Sequence, residues 1–348
     1  MDLSLTESQE LLRNTAKEFV HKSCPKEAIL ELDRTESGFS HQLWQEMARM
    51  GWLGILVPQE YGGSSGSLTD AAVVFEELGR GPVPGPHFSS GVLGALAVLE
   101  AASPSQKRAI LPKVASGEQT LALALTEPDY GWGPGSIRMA AARRNGSYVL
   151  NGTKLFVQDA LAATHILCAV RTSVRSRDPS QGISLLLVDA SAAGVTRRAL
   201  PGFIAGTAEV SFNNVRVPAS DLLGEAPGNA WPALEAALQK AIPVLCAYQV
   251  GGCQAVFEMS VEYSRTRQQF GTPIGRFQRV QDHIINIVNH LDAARWTTQE
   301  ALWKLDAGRP AAASVHLAKS VASEGYLKAC DSAHEVHAGI GVLREYGL

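Results

Sequence analysis

Apolar residues recur at helical spacing through the first third of the chain. Leu12, Ala16, Phe19 and Val20 stand at i, i+4, i+7 and i+8, which marks one buried face of a helix. Thr6 and Gln9 have the spacing of a capping box and put the helix start at Glu7. Pro25 ends it. A second amphipathic helix is expected over 40–50, with Leu43, Trp44, Met47 and Met50 turned inward. The apolar passage 51–58 closes on a turn over 59–63, and another helix follows Thr69, offering Ala72, Val73, Phe75 and Leu78 for burial. Pro82, Pro84 and Pro86 interrupt the pattern, and helix resumes near Ser89. At Leu121 the period changes. Asn145-Gly146 and Asn151-Gly152 are hairpin signals on either side of Tyr148-Val149-Leu150. Apolar strands are expected over 165–170, 183–188 and 208–212, with 215–218 leading out. The helical period then returns over 231–265, 280–307 and 310–338. Pro232 suits a first turn, and Pro243 is expected to kink the helix around it. Apolar positions on several faces of these long helices call for bundle packing and a subunit interface.

That order describes an α+β chain. An N-terminal α-helical domain covers 1–119, a middle β-barrel domain 120–225, and a C-terminal α-helical domain of four-helix-bundle type 226–348. A length of 348 residues accommodates such a division. Apolar residues at 45% and charged residues at 19% fit a soluble globular protein. A net charge of −3 gives no reason to expect nucleic acid or an anionic membrane surface. No apolar run reaches the length of a membrane span, and Met1-Asp2-Leu3 does not open a secretory leader. Five dispersed cysteines form no metal motif and fit a reducing compartment, so the cytoplasm is the expected location.

The candidate chemistry centres on residues 263–281. A helical pattern leads into Arg267, Phe270-Gly271 breaks it, Pro273 blocks its resumption, and a second helix starts near Phe277. Such a helix–turn–helix corner presents the Arg267 cation beside the Phe270 ring, with the Gln278 amide close behind. A guanidinium with neighbouring backbone amides suits a diphosphate. A plain corner with a surface arginine is the alternative. Two further segments are candidates. Leu125-Thr126-Glu127-Pro128 ends a strand, and its backbone groups and the Thr126 hydroxyl can bond the polar edge of a planar ring. Residues 154–159 form the other.

Arg267-Gln268-Gln269-Phe270-Gly271, followed by Pro273-Ile274 and Phe277-Gln278, resembles the FAD-contacting corner of the acyl-CoA dehydrogenases. The Val57-Pro58 to Gly63 turn and Phe75-Glu76-Glu77-Leu78-Gly79 resemble the N-terminal domain of that family, and the three-domain order matches it. The resemblance implies that Arg267, Phe270, Ile274 and Gln278 grip the ADP half of an FAD bound mainly by the neighbouring subunit. It implies that Leu125 and Thr126 meet the pyrimidine edge of the flavin, with Gly131 close by. Phe156 would stack on the flavin face, and Gln158 would lie near flavin N5. Ala338-Gly339-Ile340-Gly341 resembles the turn that contacts the FAD pyrophosphate, which adds Glu335 and Gly339 to the set.

Several positions depart from the family pattern. Trp132 stands where serine is usual and is expected to fill space meant for phosphate or acyl-CoA. Phe156 replaces tryptophan, Gln158 a hydroxyl residue, Glu335 a glutamine and Ala338 a glycine. The family removes an α-proton from an acyl-CoA thioester while flavin accepts a hydride, and this needs a carboxylate base. One family position for that base falls on Ala241, and the nearest carboxylate along the helix is Glu235. The other lies beyond the Gly-x-Gly turn, past the residues present. Glu345 matches a family residue of that tail but not the base. The sequence thus shows the flavin-binding scaffold and no residue recognisable as the catalytic base. The resemblance points to a subunit without its own base in a hetero-oligomer, acting on acyl-CoA beside a homologous subunit and passing electrons to an electron-transfer-flavoprotein-type acceptor. An active homo-oligomer with an unrecognised base is the first alternative. A flavin-free acyl-binding or scaffold protein is the second.

Overall fold

A computed structural model describes residues 4–173, 177–202 and 205–348, and it has the expected order of helices, strands and helices. The first helices are α1 (Glu7–Ser23), α2 (Lys26–Asp33), α3 (His41–Arg49), α4 (Leu68–Arg80), α5 (Ala95–Ala101) and α6 (Pro104–Ala115). Thr6 and Gln9 form the reciprocal cap at the start of α1. Ser67 with Asp70, and Ser103 with Gln106, do the same for α4 and α6. Helix α2, eight residues long, was not expected from the sequence, and none of its residues is fully buried.

The chain forms two compact units, and the helices before Leu121 are divided between them. One unit contains Met1–Glu31, Ser67–Val83 and Ile242–Leu348; the other contains Leu32–Gly66 and Pro84–Ala241. In the second unit, β1 (Leu121–Ala124) pairs in parallel with β4 (His165–Arg171), and β4 pairs antiparallel with β5 (Ile183–Asp189). A second sheet runs β2-β3-β7-β6, from β2 (Ala141–Arg144), β3 (Ser147–Gln158), β6 (Val195–Ala199) and β7 (Thr207–Pro218). The expected barrel thus takes the form of two sheets around one core. Ala122, Leu150, Ile166, Leu186, Val210 and Phe212 are buried together in it, and a bridge from Ala140 to Arg171 links the sheets.

Asn145 and Gly146, both with positive φ, make the tight turn between β2 and β3. Asn151-Gly152 does not turn. Strand β3 runs straight through it with a register shift, and Gly152 has φ +145°. The hairpin signal there is a β-bulge. Residues 215–218 belong to β7 rather than leading out of the sheet.

The other unit is helical. Its long elements are α7 (Trp231–Thr266), which starts in the second unit, α8 (Gln278–Asp306) and α9 (Ala312–His337). Cys246, Val250, Ile287, Leu291, Val315, Ala318 and Ala322 form their common core. A Cβ on Gly251 would lie 1.8 Å from the Glu76 carbonyl, so glycine there lets α4 and α7 touch backbone to backbone. Pro243, the site of the expected kink, lies inside α7, a helix of 36 residues.

Candidate functional site

The sequence-predicted residues fall on both units. Arg267 to Gln278 lie in the helical unit. They join two helices as the sequence predicts, α7 ending at Thr266 and α8 starting at Gln278. Gln268 and Gln269 (β8) pair with Thr272 and Pro273 (β9) in a miniature hairpin. Its two tip residues, Phe270 and Gly271, have φ +53° and +78°, the requirement of a type I′ turn. The hairpin is tied to the end of α7 at two points. Arg267 N–H donates to Tyr263 O at 2.9 Å, and Ile274 N–H donates to Arg267 O at 2.9 Å. Ile274 is buried, and Gly275 packs so closely that a Cβ would sit 3.0 Å from Ser264 O. With backbone and anchor fixed, the functional side chains point out. Phe270 is 90% exposed and meets Phe277 edge to face at 6.0 Å. Arg267 is exposed and has no ion-pair partner among the described residues. Gln278 opens α8, whose first turn no side chain caps. An exposed guanidinium beside an uncapped helix N-terminus is a place for phosphate oxygens.

The end of α9 packs against the last turns of α7. The Tyr263 ring stacks on buried His337 at 4.6 Å, and Tyr346 covers His337 at 5.5 Å. Burial holds the His337 pKa below the usual imidazole value, so the ring behaves as a packing element. This stack joins the helix end that leads into Arg267 to the segment carrying Glu335 and Gly339. Both residues are exposed, and nothing crowds Gly339. Ala338 has φ +51° and ψ −137°, a conformation that suits glycine. Ala338→Gly should relieve this strain and stabilise the chain by about 1 kcal/mol, measured as a higher urea midpoint. A lower midpoint would show that the methyl group contributes packing.

In the other unit, Leu125 and Thr126 leave the end of β1. Thr126 O accepts from Leu155 N–H at 2.8 Å, and Leu125 O accepts from the Lys154 ammonium at 3.1 Å. Lys154 is wholly buried and lies 2.8 Å from Glu127 Oε1. The Glu127 carboxylate also accepts from Arg138 N–H at 3.1 Å and Met139 N–H at 3.0 Å. The pair thus joins three stretches of chain around the Leu125-Thr126 edge. Sequence reasoning passed over it because lysine and glutamate are ordinarily surface residues.

Next to Lys154, β3 shifts register, and Phe156 takes φ +53° inside the bulge. The bulge turns the Phe156 ring out of the core to 56% exposure, 6.0 Å from Tyr130. Gly131 is required by close packing, since a Cβ would fall 2.6 Å from that of Ser136. Trp132 corrects an expectation: its indole is 93% exposed and fills no space in its own sheet unit. Exposed Gln158 has its amide held at both ends, with Nε2 donating to Asp159 Oδ1 at 3.3 Å and Oε1 accepting from Thr207 Oγ1 at 3.0 Å.

Ala241 is 1% exposed on α7, while Glu235 is exposed. Glu100 reaches Lys240 and is held there in an ion pair. Glu345 lies exposed in a short turn. Position 241 itself carries a methyl group rather than a carboxylate.

Family descriptions cover nearly the whole chain in the same order. The acyl-CoA dehydrogenase N-terminal domain matches residues 6–118, the middle domain 122–215 and the C-terminal domain 228–348. The chain belongs to the acyl-CoA dehydrogenase family. "Probable acyl-CoA dehydrogenase YngJ" of Bacillus subtilis is 32% identical over 361 residues, covering 100% of this chain and 92% of that one. Among solved structures, the ChsE4-ChsE5 complex from Mycobacterium tuberculosis has 27% identity and a TM-score of 0.88, covering 99% and 90% of the two chains. The FAD complex of PigA has 26% identity and a TM-score of 0.91, covering 100% and 91%. FAD is the cofactor of this acyl-CoA dehydrogenase-family chain. No helix among the described residues is long and apolar enough to cross a membrane.

Proposed function

We propose that this chain is an FAD-associated subunit for the α,β-dehydrogenation of an acyl-CoA thioester, that it lacks its own catalytic base, and that a homologous subunit completes it. The observation that carries the reading is the buried methyl of Ala241 where the family uses a carboxylate. The residues present fit FAD. The Arg267 guanidinium is uncommitted beside an uncapped helix start, and the β3 bulge displays the Phe156 ring. When bound, FAD supplies the hydride acceptor. The chain's own residues then bind and orient. Arg267, Phe270, Ile274, Gln278, Glu335 and Gly339 serve the diphosphate and ADP side, while Leu125, Thr126, Gly131, Phe156 and Gln158 serve the ring. Domains over 1–119, 120–225 and 226–348 accord with this division, and an electron-transfer-flavoprotein-type protein would take the electrons. The ChsE4-ChsE5 complex is a two-protein precedent for such pairing.

Arg267→Ala should remove a charge-assisted phosphate contact worth about 1.5–3 kcal/mol, a loss of roughly 10- to 100-fold in FAD affinity. Flavin-to-protein ratio after gel filtration is the readout. An unchanged ratio would make the hairpin purely structural.

A further inference from the structure

Where β3 ends, Asp159 is buried beside the exposed Gln158, and the reaction read from the family does not use it. Asp159 is 3% exposed and has φ +57°. Its N–H donates to Gly206 O at 2.8 Å, which pins the backbone. Its Oδ2 accepts from Ser89 Oγ at 2.6 Å, and its Oδ1 accepts from Gln158 Nε2 at 3.3 Å. The far end of the Gln158 amide accepts from Thr207 Oγ1 at 3.0 Å. Ser89 has a second acceptor within reach, Pro86 O at 3.4 Å.

We propose that Asp159 is a positioning residue, which acts with Ser89 to set how firmly the Gln158 carboxamide is held at the flavin-facing end of β3. The flavin-facing assignment rests on the function proposed above; the contact between Asp159 and Gln158 stands without it. Two proton arrangements satisfy every group. With the carboxylate ionised, the Ser89 hydroxyl donates to Oδ2 and the Gln158 amide makes a charge-assisted bond to Oδ1. With the carboxyl protonated, its Oδ2–H donates to Ser89 Oγ, and the Ser89 hydroxyl turns to Pro86 O. The Gln158 amide then bonds a neutral oxygen, and such bonds are roughly half as strong. The amide orientation is therefore firmer when Asp159 is charged. Burial holds the Asp159 pKa up to about 6, while the Ser89 and Gln158 hydrogen bonds act to lower it. The switch thus falls inside the working range of a neutral solution. Aspartate, rather than an amide, is what makes the Gln158 contact titratable.

The test uses the full chain with 15N-labelled glutamine, with and without FAD, together with Asp159→Asn, Ser89→Ala and Gln158→Leu. The side-chain NH2 signal missing in Gln158→Leu identifies Gln158. In the unsubstituted chain that signal should shift with a midpoint near pH 6 between pH 4.5 and 8. It should stay flat in Asp159→Asn, and its midpoint should rise in Ser89→Ala, which loses a hydrogen bond to the charged form. In the FAD-loaded protein, the visible flavin band should move with the same midpoint and should not move in Asp159→Asn. A Gln158 signal that is flat across this range overturns the proposal. A titrating Gln158 signal beside an invariant flavin band overturns its flavin-facing part. A titrating signal in a chain that takes up no FAD, even with its partner subunit, supports the Asp159–Gln158 coupling and counts against the function proposed above.

Discussion

Lys154→Met is expected to destabilise the chain by about 3–5 kcal/mol, the usual cost of removing one partner of a buried ion pair. The substitution keeps the length and most of the volume of the side chain, so little cavity forms. It leaves the Glu127 carboxylate buried with only the backbone donors of Arg138 and Met139, and a buried charge without its counter-ion is poorly tolerated. The same change frees Leu125 O, which the ammonium also holds. The denaturant midpoint should therefore fall at constant slope. Adding Glu127→Gln to Lys154→Met should recover part of the loss, because the carboxamide removes the charge and can still accept from both backbone donors. A Lys154→Met chain within about 1 kcal/mol of the parent would mean that the interior is wetter than the zero exposure of Lys154 implies. Flavin retention by the double variant is informative too. If it folds but holds FAD weakly, the pair aligns the Leu125-Thr126 edge in addition to supporting the fold.

The chain by itself should be inert as a dehydrogenase, and an unlike homologous subunit should restore activity. A positioned base contributes roughly 100- to 10,000-fold to such a proton abstraction. Ala241 offers none; Glu100 is paired with Lys240, and Glu235, six positions away along the helix, is exposed. The purified chain should be colourless or weakly yellow and should not reduce a ferrocenium-type acceptor with a CoA ester. Co-expression with the right homologue should give a yellow, active complex. Reduction of the acceptor by the isolated chain at the rate of the complex would sink this reading and place a working base elsewhere in the chain.

Much of the fold was legible because local signals agreed with one another. The capping box at Thr6 and the apolar stripe of α1 both placed its start. The three long helices lie within two residues of the positions expected from periodicity. The break that Phe270-Gly271 marks in the expected corner is the tip of the 268–273 hairpin. What failed was local chemistry with two solutions. Asn151-Gly152 can close a hairpin or sit in a bulge, and pairing with β7 on one side decided for the bulge. Helix α2 has only eight residues and none fully buried, so its signal was too short to separate from the loop around it.

The amino-acid sequence alone determined the order of helices, sheets and helices, the family, and the absence of a carboxylate at Ala241, because these depend on residue identity and on periodicity along the chain. The tertiary structure decided which side chains face out and which polar groups meet. Trp132 fills no space in its sheet unit because its turn carries it into solvent. Phe156 leaves the core because a bulge gives it positive φ. Lys154 meets Glu127 across 27 positions of chain, and Asp159 meets Ser89 across 70. Such pairings are made by packing between segments distant in the chain. A charged residue becomes a buried one only when its partner arrives from elsewhere in the fold.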